Sequence, residues 1–179
     1  MQHRLLITAA IALSGCQSAR PVAAALHPIV ATTALSESPH HGLSHPSGDS
    51  LPVGQLKLVK RATARYRDIK KAIADGYADI NVVLPNMGRH FMKSSLLDSV
   101  FEVGAPELLV YSPDHEGHME LVSVEYAVPL NLSATAPEGF RGSADEWFAN
   151  QQFQLWTLHA WVWKQNPDGV FNPTNRLVP

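Results

Sequence analysis

Cysteine is nearly absent from this chain, which contains only Cys16. A single cysteine cannot form an internal disulfide, so the folded part must be stabilised by its hydrophobic core. Long apolar runs are equally scarce. The run from Leu5 to Leu13, broken only by Thr8, is too short to cross a bilayer as a permanent helix. No other segment is long and apolar enough, so the sequence predicts no transmembrane helix.

Basic charge is not in excess either. The chain has 14 Lys and Arg residues against 16 Asp and Glu residues, which gives a formal net charge of −2 at pH 7. This balance argues against nucleic acid as a partner and against a polybasic membrane patch. The sequence also lacks a glycine-rich phosphate loop, a Gly-x-Ser-x-Gly elbow and a cysteine free for nucleophilic catalysis. No common catalytic motif therefore indicates a reaction.

The N-terminus has the order of an export signal. Arg4 gives a positive start, the apolar run follows, and the segment ends in Leu13-Ser14-Gly15-Cys16. These four residues resemble the bacterial lipobox, where a signal peptidase cleaves and the cysteine thiol takes a diacylglycerol. We therefore predict a lipoprotein signal peptide at residues 1–15 and lipidation of Cys16, with acyl chains such as palmitate as the membrane anchor. The alternatives are an ordinary signal peptide with a chance cysteine, and a short buried helix.

The residue after the cysteine bears on localisation. It is Gln17 rather than Asp, and in a host with two membranes the lipobox resemblance then implies sorting to the outer membrane. We accordingly expect a lipid-anchored protein of the bacterial cell envelope.

Residues 16–50 are rich in Ala, Ser, Pro, His and Gly and show no sustained periodicity. We interpret them as the lipidated cysteine and a flexible tether, followed by a single globular domain at residues 51–179. The tether contains His40, His41 and His45, which are either ordinary linker residues or a weak, mobile metal site.

The domain is predicted to open with a long amphipathic helix. Apolar residues recur there at helical spacing, and basic residues fill the opposite side; the apolar set is Val59, Ala62, Tyr66, Ile69 and Ile73. Gly76 then supplies the left-handed residue that commonly ends a helix.

The remainder of the domain is predicted to be mainly β-structure. Residues 107–112 and 119–130 are expected to form a hairpin around a turn at 113–118. A short helix is predicted near 144–150, and a central strand over 153–164. On the second hairpin strand, alternation puts one set of residues on each face: Val122, Val124, Tyr126 and Val128 against Leu121, Ser123, Glu125 and Ala127. The fold class is therefore α+β, an antiparallel β-sheet packed against the long N-terminal helix.

Three polar residues stand out because burial and polarity conflict. Glu125 and His159 interrupt apolar stretches of these predicted strands, and His90 lies at the start of a further predicted strand, after Met87-Gly88-Arg89. Burying a carboxylate is costly unless it is paired, protonated or bound to a cation. The three groups can satisfy one another through a Glu–His hydrogen bond, or by holding a metal. Two imidazoles and one carboxylate suit a divalent metal such as Zn²⁺ or Fe²⁺ and leave coordination positions open. The alternatives are a structural polar network, a metal-free polar pocket, and a Glu125 that faces water.

Two further groups of side chains bear on function. Strand alternation places Trp161 and Trp163 on the face of His159, where they are expected either to wall a pocket or to belong to the core. His115 and His118 lie beside Asp114 and Glu116 in the predicted turn. The favoured interpretation is that these are ordinary exposed turn residues rather than a surface cation site.

Several sequence blocks occur along the domain in a fixed order. They are Met87-Gly88-Arg89-His90, Pro106 to Tyr111, Val124-Glu125-Tyr126, Leu158 to Trp163, and Asn166 to Pro173. In these blocks the chain resembles a family of mostly exported bacterial proteins without an established activity. The resemblance implies one intact domain from about Ala62 onward and no particular mechanism.

The sequence as a whole leaves three functions open. The first is a lipid-anchored extracytoplasmic protein whose buried His-Glu-His cluster binds a divalent metal or a small ligand. The second is a structural or interaction lipoprotein of the envelope, in which the cluster only organises the core. The third is a metal-dependent enzyme acting on a small envelope substrate. A binding role is favoured over catalysis, and a small-molecule or protein partner is not identified.

Overall fold

The computed structural model describes residues 51–142 and 144–179. The predicted signal peptide, Cys16 and the tether with its three histidines lie outside the described residues. Within the described ranges, no helix is both long enough and apolar enough to cross a bilayer.

The domain opens with two short helices rather than the single long helix that the periodicity predicts. Helix α1 (Val53–Thr63) continues as a 3₁₀ turn (Ala64–Arg67), and helix α2 (Ile69–Ala74) follows. The break lies at Asp68, which has an extended backbone and whose side chain caps α2 by accepting a hydrogen bond from the Lys70 N–H. The break rotates the apolar face, so Ala72 is buried and Ile73 is exposed. The long N-terminal helix is therefore corrected to two helices.

Gly76 ends α2 as predicted. Its φ of 96° is left-handed, and its N–H donates to Ile73 O while Tyr77 N–H donates to Ala72 O. This is the Schellman pattern, which turns the chain directly into the first strand.

Six strands form one antiparallel sheet, which confirms the α+β class. They are β1 (Ala78–Leu84), β2 (Gly88–Met92), β3 (Leu108–Pro113), β4 (Met119–Pro129), β5 (Phe148–Asn150) and β6 (Leu155–Ala160). The spatial order is β1-β2-β3-β4-β6-β5. The predicted hairpin is β3–β4. The short helix predicted near 144–150 is wrong, because residues 144–147 are irregular and residues 148–150 pair with β6 as an edge strand.

A β-bulge changes the predicted alternation on β4. Val110 pairs with Ser123, but the next residue of β3, Tyr111, pairs with Leu121, which leaves Val122 without a partner opposite. Leu121 consequently joins Val124 in the core facing the helices, and Val122 packs in a separate cluster with Trp161.

The two faces of the sheet have different environments. One face packs against the helices and forms the main core, which includes Val59, Ala72, Leu109, Tyr111, Val124, Tyr126 and Leu158. The opposite face carries Met92, Leu108, Glu125 and His159 in one row across four strands, because each is the register partner of the next. This second face lines a cleft that contains the candidate site.

Glu107 extends the pairing between β3 and β4 by one further hydrogen bond. It is 2 % exposed, and its Oε2 accepts from the Ala127 N–H at 3.0 Å, beyond the last register pair of these strands. Burial raises the pKa of Glu107 from 4.5 to about 7, against the effect of this hydrogen bond.

We expect Glu107→Gln to flatten the pH dependence of stability. Because the folded-state pKa is raised, the folded state holds this proton more tightly, and that contribution is present below pH 4.5 and is lost as the pH rises to about 7. Ionising Glu107 should cost about 3 kcal/mol of unfolding free energy. The amide keeps an acceptor for Ala127 and carries no charge. Urea denaturation from pH 4.5 to 8 tests this. The prediction would be contradicted if the unfolding free energies of wild type and variant changed in parallel with pH.

Candidate metal centre

His90, Glu125 and His159 meet on the cleft face of the sheet, although 69 positions separate the first from the last. Glu125 on β4 lies directly opposite His159 on β6. His90 lies on β2 and reaches the cluster across β3, whose residue Leu108 pairs with Glu125 on one side and with Met92 on the other. The convergence predicted from three isolated polar interruptions is therefore confirmed.

The ring of His90 is held by its backbone surroundings. Its Nδ1 lies 3.2 Å from the Val82 carbonyl oxygen, which can only accept, so Nδ1 carries the proton. The other nitrogen, Nε2, then presents a lone pair toward Glu125. A carbonyl that fixes the outer nitrogen of an imidazole is the usual partner of a metal-ligating histidine.

Gly88 allows β2 to approach β3 closely at this point. Its φ is 109°, and a Cβ there would lie 2.5 Å from the Tyr111 carbonyl oxygen. Glycine is therefore required two residues before His90 for the two strands to pair in this register.

The three side chains are close together without being well hydrogen-bonded to one another. His90 Nε2 lies 3.6 Å from Glu125 Oε2, and His159 Nδ1 lies 3.6 Å from Glu125 Oε1. Good hydrogen bonds between such atoms span about 2.7–3.2 Å. One ligand atom from each residue lies within 4.8 Å of the other two. Ligands 2.0–2.2 Å from a tetrahedral metal are about 3.4 Å apart, so a small inward movement of the side chains would complete a site.

Burial sets the protonation of the cluster. His90, Glu125 and His159 are 3 %, 6 % and 4 % exposed. Burial raises the pKa of Glu125, and the nearby His90 and a hydrogen bond with Thr157 oppose that rise. Burial also lowers the pKa of His90 and lowers that of His159 to about 4. Both imidazoles are therefore neutral at pH 7, which is the form that ligates metals.

Trp161 packs beside His159 and is not among the described residues that line the cleft. The two rings are nearly parallel, at 17°, with centroids 6.2 Å apart, and the Trp161 indole N–H donates to Asn172 O. His159 Nε2 is buried and has no hydrogen-bond partner among the described residues. Because Nδ1 is the ring nitrogen that faces Glu125, a metal held in the cluster would leave this Nε2 unpaired.

The expectation that Trp163 lines the site is corrected. Strand β6 ends at Ala160, so the alternation that would aim Trp163 at the cleft does not continue. Its indole N–H donates to Thr63 on α1, and Lys60 and Arg67 lie over its ring. Trp163 therefore packs on the helical face of the sheet.

The cluster lies in a cleft of about 840 Å³. Its walls are mainly aliphatic and aromatic, and they include Ile80, Met92, Leu108, Phe148, Phe153 and Leu155. No lysine or arginine is among the lining residues described. Interior strands form the floor of the cleft, whereas much of its wall comes from the edge strands β1 and β5 and from loops. Sequence reasoning missed the cleft, because these wall segments have no periodic signal.

The turn histidines do not form part of this site. His115 and His118 lie in the exposed β3–β4 turn, with His118 Nδ1 3.3 Å from Glu116 Oε2. Their side chains are 90 % and 74 % exposed. The prediction of ordinary exposed turn chemistry fits this placement.

We expect nitrogen-detected NMR of metal-free protein near pH 7 to find His90 in the Nδ1–H tautomer. The reason is the hydrogen bond to the Val82 carbonyl. The exposed His115 serves as the control, since the Glu116 carboxylate oxygen beside its ring is 3.8 Å away, too far for a hydrogen bond that would fix its tautomer. A dominant Nε2–H form of His90 would contradict the assigned geometry.

Comparison of the chain with protein-family models, curated proteins and solved structures gave no match. The family that the sequence blocks resemble therefore stays a prediction. Function has to be inferred from the chemistry of the cluster and its cleft.

Proposed function

We propose that this protein binds a divalent transition metal, Zn²⁺ or Fe²⁺, through His90, Glu125 and His159. The observation that carries the proposal is the convergence of three buried ligand atoms within 4.8 Å of one another. Neutral imidazole and carboxylate are ligands that both metals accept, and three protein ligands leave positions open for water or a small molecule.

The electrostatics of the cleft support a cation at this point. Glu125 is buried, and no lysine or arginine lines the described cleft, so the protein supplies no permanent positive charge beside the carboxylate. The two histidines are held neutral by burial. An ionised Glu125 without a counter-charge would cost several kcal/mol. A bound dication removes this cost and gives both imidazole lone pairs a partner.

The alternative is a structural polar network in which a protonated Glu125 shares its proton with one histidine. The 3.6 Å separations favour the metal over this network, because a direct hydrogen bond would draw one pair closer. A metal-dependent enzyme remains the third candidate. Binding is preferred over catalysis, because the other carboxylates of the described lining, Glu146 and Asp168, are exposed, and Asp168 is paired with Arg176.

We propose further that the domain is held at the bacterial envelope by lipidated Cys16. The balanced charge of the whole chain argues against a polybasic membrane patch, but the charges are segregated within the folded part, and this segregation supports a membrane partner. Residues 75–179 contain five basic and thirteen acidic residues, whereas residues 51–74 contain one acidic residue and seven exposed basic ones, namely Lys57, Lys60, Arg61, Arg65, Arg67, Lys70 and Lys71. The basic segment is the first part of the domain after the tether, and it would meet anionic lipid headgroups.

We expect one metal per chain and a loss of affinity of about 100-fold or more in Glu125→Gln, since even partners of metal ligands contribute 10–100-fold. The amide keeps the shape of the side chain and removes the charge. Glu107→Gln is the matched control, because it neutralises the other buried glutamate without touching the cluster. Equilibrium dialysis with Zn²⁺ and elemental analysis measure both, with circular dichroism to check folding. Equal affinity in wild type and Glu125→Gln would contradict the proposal.

Replacement of Cys16 by Ser should abolish incorporation of labelled fatty acid and shift the protein from the detergent phase to the aqueous phase. The thiol is the only group in the lipobox-like string that can take a diacylglycerol. Replacement of Ser18 by Ala is the control. A Cys16→Ser protein that still partitions with detergent would show that another anchor exists.

A further inference from the structure

The cleft is far larger than a metal ion requires. A metal with one or two waters needs a few tens of Å³, since a water takes about 30 Å³ of liquid volume. The cleft measures about 840 Å³, within the range of about 300–1,000 Å³ that small-molecule sites occupy. Most of its volume is therefore available to a ligand that extends away from the cluster.

The walls determine what the body of that ligand must be. Met92, Leu108 and Leu155 lie along the sheet, and Leu108 is only 3 % exposed. Two phenylalanines of the lining, Phe148 and Phe153, are 63 % and 41 % exposed. Exposed aromatic side chains beside a concave apolar surface are typical of a binding site for an apolar molecule.

Charge determines the head group. A dication bound by one carboxylate and two neutral imidazoles leaves a net charge of +1 in a buried, apolar place, which is unfavourable. A monoanionic oxygen donor cancels that charge by taking an open coordination position. Hydroxide would also cancel it, but hydroxide would not cover the apolar walls. No lysine or arginine of the described lining offers a second anchor for an anion. The other carboxylates of the lining, Glu146 and Asp168, are exposed, and Asp168 is paired with Arg176, so the buried charge at the metal is the one to be cancelled.

We propose that the metal-loaded cleft binds an amphipathic monocarboxylate, with its carboxylate on the metal and its apolar body along Leu108, Leu155 and Phe153. The inference rests on the proposed metal site and adds the class of ligand that this site takes. Without the metal, the same carboxylate would face Glu125, so binding should depend on the metal.

Titration calorimetry of the full chain tests this with decanoate as the probe, below its micelle concentration. Zinc stoichiometry is measured first and independently. Decanoate should bind the zinc-loaded protein at one per chain and at least tenfold more tightly than the metal-free protein. The alcohol decan-1-ol, which has the same chain and no charge, should show no such dependence on zinc.

A pair of matched variants separates the contribution of the cleft wall to decanoate binding from the contribution of the metal. Phe153→Ser should weaken decanoate binding severalfold while zinc affinity is unchanged. Leu132→Ser changes an apolar residue that is 52 % exposed but lies outside the lining, and it should alter neither.

The outcomes are distinguishable. If zinc does not bind, the proposed function fails. If zinc binds at one per chain but decanoate shows no saturable binding, or binds equally with and without zinc, the metal site stands and the monocarboxylate proposal is overturned. Unchanged decanoate affinity in Phe153→Ser would overturn the proposed placement in the cleft.

Discussion

The structure depends on the burial of one carboxylate. Glu125 is 6 % exposed in the centre of a six-stranded sheet, between two imidazoles, and no lysine or arginine is among the described residues that line the cleft. A domain of this size has about 5–15 kcal/mol of stability, and an uncompensated buried charge consumes a large part of it. The carboxylate is therefore protonated or accompanied by a cation, and the proposed metal is the second of these.

The sheet brings the cluster together through register rather than through a local motif. Pairing of β4 with β6 puts His159 opposite Glu125, and the short β2 strand, close to β3 because Gly88 has no side chain, delivers His90 from the other side. The helices on the opposite face make the main core, so the cleft face does not need to be filled with side chains. This division explains how one small domain can combine a stable core with an open apolar cavity.

The cluster could be predicted from the sequence, because His90, Glu125 and His159 are polar residues in stretches expected to be buried. Burying each of them alone costs free energy, and one shared site removes all three costs. The hairpin was equally accessible from its turn residues. The single long helix was not correct, because the periodicity of apolar residues continues across Asp68 while the backbone does not. The placement of Trp163 failed because strand alternation holds only as far as the strand, which ends at Ala160. The cleft had no sequence signal, since edge strands and loops from distant parts of the chain close it around the interior strands.

The most direct test of the metal centre is anomalous X-ray diffraction from crystals of the full chain grown with Zn²⁺. The account predicts a zinc peak between the three side chains, with His90 Nε2, His159 Nδ1 and a Glu125 carboxylate oxygen each about 2.0–2.2 Å from it. A peak confined to the exposed turn at His115 and His118, with the buried cluster unchanged, would contradict it.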